Sequence, residues 1–156
     1  VQALLRLVHI EQIDINKVIQ DIVSLNTKFF QQTNVTIEVE LSALPPLYGS
    51  KYQLEHVFMN LALNAKDAMP KGGVLEFRSR ADGEHIIVEV EDNGCGIPQD
   101  IIDNIFEPFV STKDQGNGLG LFISYGIIES HNGSIEVQSD VERGTCFTIK
   151  LPYRQR

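Results

Sequence analysis

The stretch Asp92 to Leu121 constrains the fold more than any other part of the chain. It opens with Asp92-Asn93-Gly94-Cys95-Gly96-Ile97 and closes with Gly116-Asn117-Gly118-Leu119-Gly120-Leu121, two glycine-rich turns around a polar loop. The first turn ends a strand, because from His85 onward Ile86, Val88 and Val90 fall on one face and Ile87, Glu89 and Glu91 on the other. Parity then puts Asp92 on the inward face, where a carboxylate needs a donor, since an unpaired buried charge is expensive. The second turn runs into an apolar helical pattern at Leu119, Phe122, Ile123, Gly126 and Ile127. Glycines at a helix start let backbone N–H groups approach an anion, which the helix dipole also favours. Neither turn has Gly-x-Gly-x-x-Gly spacing after a strand, and no Gly-x-x-x-x-Gly-Lys-Ser/Thr occurs, so dinucleotide-type and P-loop folds are excluded.

The rest of the chain alternates helical and strand patterns. Val1 to Ile13 reads as a junction, with Leu4, Leu5, Leu7 and Val8 resembling the end of a preceding helix. Asp14 can cap a helix whose inward stripe is Ile15, Val18, Ile19, Ile22 and Phe29. Val35, Ile37, Val39 and Leu41 then share one face of a strand that Pro45-Pro46 breaks. Ser50 begins a helix running to about Met69 that carries two stripes. Leu54, Val57, Phe58, Leu61, Ala65 and Ala68 make the apolar one; Gln53, His56, Asn60, Asn64 and Asp67 make a polar one beside it. Most polar helix residues are simply solvated, which suits Gln53 and His56. Asn60 and Asn64 are different, because asparagine is a poor helix former and two placed four apart cost stability. Their amide oxygens could reach one hard cation, and Mg²⁺ favours a few oxygen ligands together with substrate phosphates.

Lys71-Gly72-Gly73 turns into two strands, Val74 to Arg80 and His85 to Asp92, joined at the hairpin signal Asp82-Gly83. Pro98 starts a short helix with Ile101, Ile102 and Ile105 inward. From Phe106 to Asn117 periodicity dissolves into a loop with aromatic anchors, long enough to serve as a lid. A helix to Ser130, the turn Asn132-Gly133, a strand from Ile135 to Ser139 and a last strand opened by Gly144, with Thr145, Phe147, Ile149 and Leu151 inward, complete the chain. This order implies an α+β fold, a two-layer α/β sandwich with helices on one face of a mixed, mostly antiparallel sheet.

Length and charge narrow the function. A chain of 156 residues can bury a core without metal or disulfide, and Cys95 and Cys146 have no metal-ligand spacing, which suits a reducing cytoplasm. Thirteen basic against twenty-one acidic residues give a net charge of −8 with no basic run, so nucleic acid is not the expected partner. A polyanionic ligand therefore needs local donors and a metal. No apolar run reaches membrane-spanning length, and no direct membrane insertion is expected of this stretch.

Four motifs and a closing pair stand in one order: Asn60-x-x-x-Asn64-Ala65-x-Asp67-Ala68, Asp92-x-Gly94-x-Gly96-Ile97, Phe106-Glu107-Pro108-Phe109, Gly116-x-Gly118-Leu119-Gly120-Leu121 and Gly144-Thr145. Together they resemble the N, G1, F, G2 and G3 boxes of the ATP-binding catalytic domain of bacterial sensor histidine kinases, most of all the nitrogen-regulation and sporulation-kinase subgroups. The resemblance covers nearly the whole chain and implies a Bergerat-type sandwich over residues 14–153 that binds ATP beneath a mobile lid at about 106–117. It implies that Asp92 accepts the adenine amino group, with Gly94, Gly96, Ile97 and Thr145 around the base. Asn64 would ligate Mg²⁺ with Asn60 beside it, and Gly118, Leu119 and Gly120, between Gly116 and Leu121, would present N–H groups to the phosphates. Lys113 would reach the γ-phosphate, while Phe106 and Phe109 pin the lid. Asp67-Ala68 stands where many other sensor kinases place Lys-Tyr.

The resemblance also implies a reaction. Related ATPases of topoisomerases, mismatch repair and chaperones carry Glu where Asn60 stands, and Asn cannot take a proton at neutral pH. Position 60 thus argues for phosphoryl transfer to a protein acceptor over hydrolysis. None of His9, His56, His85 and His131 sits in the family's His-Glu/Asp-x-x-Asn/Thr-Pro pattern. The implied partners are ATP or ADP, a histidine-bearing dimerisation domain of the same kinase and a downstream response regulator. A serine-directed kinase of the anti-sigma type and a non-catalytic ATP-sensing module share the fold and remain alternatives.

Overall fold

The computed structural model describes residues 9–108 and 119–154. The helix end expected over Val1 to Val8 and the loop tip around Lys113 lie outside the described residues. Five strands make the main sheet: β2 (Val35–Leu41), β4 (Gly73–Ala81), β5 (His85–Asp92), β7 (Gly144–Pro152) and β6 (Ser134–Asp140), in that spatial order. β2 lies parallel to β4, and every other neighbouring pair is antiparallel. The helices are α1 (Ile15–Gln31), α2 (Lys51–Asp67), α3 (Gln99–Ile102) and α4 (Gly120–Ser130). The α+β class and the mixed, mostly antiparallel sheet are as the sequence implies.

Strand parity builds the core. Leu75, Phe77, Ile86, Val88, Val90, Phe147, Ile149 and Leu151 all point to the helix side and are buried. At about 25 cal/mol per Å² of apolar surface removed from water, such side chains supply most of the driving force. The opposite face is mostly charged, with Arg78 among Glu76, Glu89 and Glu91, and with Ile87 as a buried apolar residue on it. On α1, Asp14 caps as expected, its carboxylate accepting the Lys17 N–H at 3.2 Å, and Ile15, Val18, Ile19 and Ile22 are buried. The stripe ends on Phe30, not Phe29. Phe29 is 47% exposed at the rim beside α2, where the Lys66 ammonium lies 4.8 Å over its ring and stabilises it there. Likewise Val39 keeps inward parity yet is exposed, since β2 is the sheet edge and the helix layer covers only Val35 fully.

Two elements went unread in the sequence. Glu11–Ile13, expected to be junction, forms β1 and pairs antiparallel with β3 (Leu47–Gly49) in a separate two-stranded sheet. Ile13 and Leu47 enter the core through it. Three-residue strands carry no usable alternation, and this pairing spans the whole of α1 and β2, so local periodicity could not reveal it.

α2 sits where its stripes predict, with Leu54, Val57, Phe58, Leu61, Ala62 and Ala65 buried and Ser50 as its cap, its hydroxyl accepting the Gln53 N–H at 3.3 Å. α4 differs from expectation. Its buried residues are Ser124 and Ile128, with Leu121 and Ile127 half-buried, while Phe122 and Ile123 are exposed and Gly126 faces open space. A helix apolar nearly all round gives periodicity no direction, so packing against α2 decides the face. No helix among the described residues is long and apolar enough to cross a membrane.

Candidate functional site: a nucleotide pocket at the strand ends

The site begins where β5 ends. Asp92 is 7% exposed and points to the helix side. Its Oδ1 accepts the Gly94 N–H at 2.9 Å, and its register partner across the ladder is Thr145, whose backbone also favours the charged carboxylate. Burial nevertheless dominates, lifting the carboxyl above its ordinary range, with the two backbone donors pulling it back. This is a buried acceptor that backbone donors only partly compensate. A ligand bringing an N–H donor would find its complement here.

The turn after Asp92 is held on both sides. Cys95 N–H donates to the Ala68 carbonyl at the end of α2, and the Cys95 carbonyl accepts the Glu142 N–H from the β6–β7 turn. Asn93 Oδ1 accepts the Val74 N–H at 2.9 Å. Two glycines are obligatory in this arrangement. Gly96 has φ of 75° and a Cβ there would strike the Asp140 carbonyl; Gly144 has φ of 122° and its Cβ would strike the Asp92 carbonyl. Here the glycines bring three strand ends together at backbone distance.

Asp92, Thr145 and Ser139 lie in one cross-strand row, since Asp92 registers with Thr145 and Thr145 with Ser139. The Ser139 Oγ accepts the Ile97 N–H at 2.8 Å and lies 2.8 Å from Thr145 Oγ1. Sequence reasoning saw Ser139 only as a strand end. The signal that could have found it is the β6–β7 register, which places a hydroxyl beside Thr145.

On the polar flank of α2 stand Asn60 and Asn64, both half-buried. Asn60 Nδ2 donates to the Ser124 hydroxyl at 3.2 Å, and its Oδ1 lies 2.5 Å from where a Cβ on Gly120 would be. Asn60 therefore meets the first turn of α4, which opens at Leu119 and Gly120 without a side-chain cap. Leu121 packs against the core from that turn, and Asp67 lies exposed at the end of α2. Phe106 is half-buried, its ring centroid 5.4 Å from that of Tyr125 and 6.3 Å from that of Phe147, so it anchors the chain leaving α3. Phe109, Lys113, Gly116 and Gly118 fall outside the described residues.

The donor chemistry bears on a metal. Among the described residues no group of three or more His, Cys, Asp or Glu side chains could hold an ion. Neutral amide oxygens on one helix flank instead fit Mg²⁺ arriving with phosphates, which needs only one or two protein ligands. His131 joins two helices instead. Its Nε2 accepts the Ser50 N–H at 3.0 Å and its Nδ1 lies 2.8 Å from the Ile127 carbonyl, tying the start of α2 to the end of α4.

A two-layer sandwich with a buried carboxylate at its strand ends, a glycine turn beside it and an asparagine-bearing helix packed on the sheet brings together residues that the sequence resemblance assigns to a nucleotide-binding ATPase. Comparison with known proteins agrees. The sequence model described as Histidine kinase-, DNA gyrase B-, and HSP90-like ATPase matches residues 49–155. Sporulation kinase E of Bacillus subtilis (strain 168) is 37% identical over 147 residues, covering 93% of this chain but 20% of that protein. Among solved structures, the nucleotide-free catalytic domain of histidine kinase ThkA superposes with a TM-score of 0.84 at 27% identity, covering 93% of this chain and 96% of that one. Full-length ShkA in complex with AMPPNP gives a TM-score of 0.85 at 25% identity, covering 96% of this chain and 32% of that one. The chain belongs to the histidine kinase-, DNA gyrase B- and HSP90-like ATPases, and within them it is the ATP-binding domain of a sensor histidine kinase. It spans about a fifth of the length of sporulation kinase E.

Proposed function

We propose that this domain binds Mg-ATP between its sheet and α2 and passes the γ-phosphoryl group to a histidine on a separate dimerisation domain, from which a response regulator takes it. The observation that carries the reading is the pairing of a buried base-accepting carboxylate at Asp92 with a neutral amide at Asn60. Asp92 gives the pocket an acceptor for the adenine amino group, with Gly94, Gly96, Ile97 and Thr145 shaping the wall beside it. Asn60 stands on the flank of α2, hydrogen-bonded to Ser124. An amide cannot deprotonate water, so hydrolysis has no base at this position.

Catalysis is then positioning and charge neutralisation. The bond between the β–γ bridging oxygen and the γ-phosphorus breaks as an acceptor imidazole nitrogen bonds to phosphorus, and ADP leaves. Asn64, with Asn60 beside it, would hold Mg²⁺, which supplies countercharge to the phosphates. The first turn of α4 at Leu119 and Gly120 would turn its backbone N–H groups and the positive end of the helix dipole toward an anion. By the family resemblance, Lys113 in the lid reaches the γ-phosphate and Gly116, Gly118 and Leu121 complete the second glycine turn, with Phe109 joining Phe106 as anchor.

The test uses the chain with radiolabelled ATP and a separately made helical hairpin carrying the family's acceptor histidine. Acid-labile label should appear on the hairpin and none on this chain, in a reaction that Asn64→Ala impairs more than it impairs folding. Label on a serine, or binding of ATP with no transfer to any hairpin tried, would favour the serine-kinase or sensing alternatives.

A further inference from the structure

We propose that Ser139 is the positioning residue of the base-reading wall, orienting the Thr145 hydroxyl so that the wall offers acceptors alone to the ligand's base edge. This deepens the nucleotide reading above and rests on it. A serine hydroxyl has one proton and two lone pairs. Ser139 Oγ has three partners: the Ile97 N–H at 2.8 Å, the Gly144 carbonyl at 3.0 Å and Thr145 Oγ1 at 2.8 Å. The Ile97 N–H can only donate and the Gly144 carbonyl can only accept. The serine proton therefore goes to Gly144, one lone pair takes Ile97, and the remaining lone pair is open only to a donor. Thr145 must donate to it.

The consequence reaches Asp92. With its proton turned toward Ser139, Thr145 has only lone pairs left for the pocket, beside a carboxylate that is itself an acceptor. An amino edge, or a water that donates, is complemented by both. A carbonyl edge meets two acceptors and leaves all three groups unpaired, at the cost a desolvated polar group carries. Ser139 also ties the glycine turn at Ile97 to the β6–β7 hairpin, so wall and turn are set by the same atom. It does all this without touching the ligand itself.

Competition binding of ATP and GTP to wild type, Ser139→Ala, Ser139→Thr, Thr145→Val and the Ser139→Ala/Thr145→Val double variant reads the proposal directly. Ser139→Ala should weaken ATP about 5- to 20-fold and narrow the ATP to GTP ratio, because the freed Thr145 proton can meet the guanine carbonyl. Ser139→Thr keeps the hydroxyl and should hold both values within about threefold of wild type. If Ser139 acts through Thr145, the double variant should bind ATP no more than about twofold weaker than Thr145→Val. A Ser139→Ala domain that melts earlier yet keeps the wild-type ratio would make Ser139 structural only and overturn the inference, leaving the nucleotide reading intact. A wild type that binds neither nucleotide would overturn both. Should Ser139→Ala not fold, Ser139→Cys, a weak donor and acceptor of similar size, takes its place with the same expected narrowing.

Discussion

Asp92 shows how much a single position can disclose. Strand parity alone puts it inside the domain, because Ile86, Val88 and Val90 fix which face is buried, and the structure leaves it 7% exposed. What parity cannot supply is the balance around the carboxylate. Burial raises its pKa from the ordinary 3.8, while the backbone donors of Gly94 and Thr145 oppose the shift. Since the folded chain holds this proton more tightly than the unfolded one, stability falls as pH rises from 3.8 through the raised value, and the cost is complete above it. Asn at this position does not titrate. The melting temperature of Asp92→Asn relative to wild type should therefore be more favourable near neutral pH than at about pH 4, while ATP binding is impaired at both. Thermal melts at the two pH values decide it, since every other carboxylate is common to both proteins. A gap that does not change would mean that the two backbone donors balance burial, and a gap that reverses would mean that they outweigh it. Ser139 was not legible at this scale, because its importance comes from a neighbour across β7 and not from its own strand.

At the scale of elements, the α2–α4 contact joins Asn60 to Ser124 and to the first turn of α4 at Gly120. Its α2 half was readable: two asparagines four apart on a helix are a local anomaly. Its α4 half was not, since Leu121, Phe122, Ile123, Ile127 and Ile128 surround the helix and its buried face is set by packing on α2, with Ser124 meeting Asn60 and His131 meeting Ser50. Gly120→Ala separates helix propensity from site geometry. Propensity favours the alanine by up to about 1 kcal/mol in a helix interior, less at the first position. Geometry opposes it, because the new methyl would lie 2.5 Å from Asn60 Oδ1. The obstructing atom ends a side chain that can swing away, so the fold should survive with unchanged helix content. Asn60 must then leave Ser124, and ATP affinity should fall at least about tenfold. Circular dichroism with calorimetry checks both halves; unchanged affinity would remove Asn60 from the site. His131→Ala tests the other end of the same pair of helices. It leaves the Ser50 N–H without its partner and should cost about 1–2 kcal/mol in denaturant unfolding with no matching loss of ATP affinity.

Across the whole molecule, the sheet was legible and the charge distribution predicts how a polyanion must enter. Alternation in β5 and β7 gave the helix-side face correctly, whereas the β1–β3 pairing and the exposed edge at Val39 depend on what lies far off in sequence. The solvent face of the sheet carries Glu38, Glu40, Glu76, Glu89, Glu91 and Glu136 against Arg78, Arg80 and Lys150. Arg78 is already taken up by Glu76, Glu89 and Glu91, which hold it charged. With a net charge of −8, the domain repels free ATP at long range. Repulsion between exposed charges is screened over a Debye length of about 8 Å at physiological salt, so it weakens as salt is added. In the presence of a chelator, ATP should bind at least about tenfold more weakly than Mg-ATP, and adding salt should strengthen that chelated binding, the reverse of a basic site. Asn64→Ala should close most of the gap between the two conditions, because it removes the oxygen through which the metal joins the protein while leaving the Asp92 wall in place. Calorimetric titration of wild type and Asn64→Ala with and without EDTA, each at two salt concentrations, gives the affinities required. Equal wild-type affinity with and without metal would take Asn64 out of the ligand role and leave the neutralisation of the phosphates to the first turn of α4 and the lid.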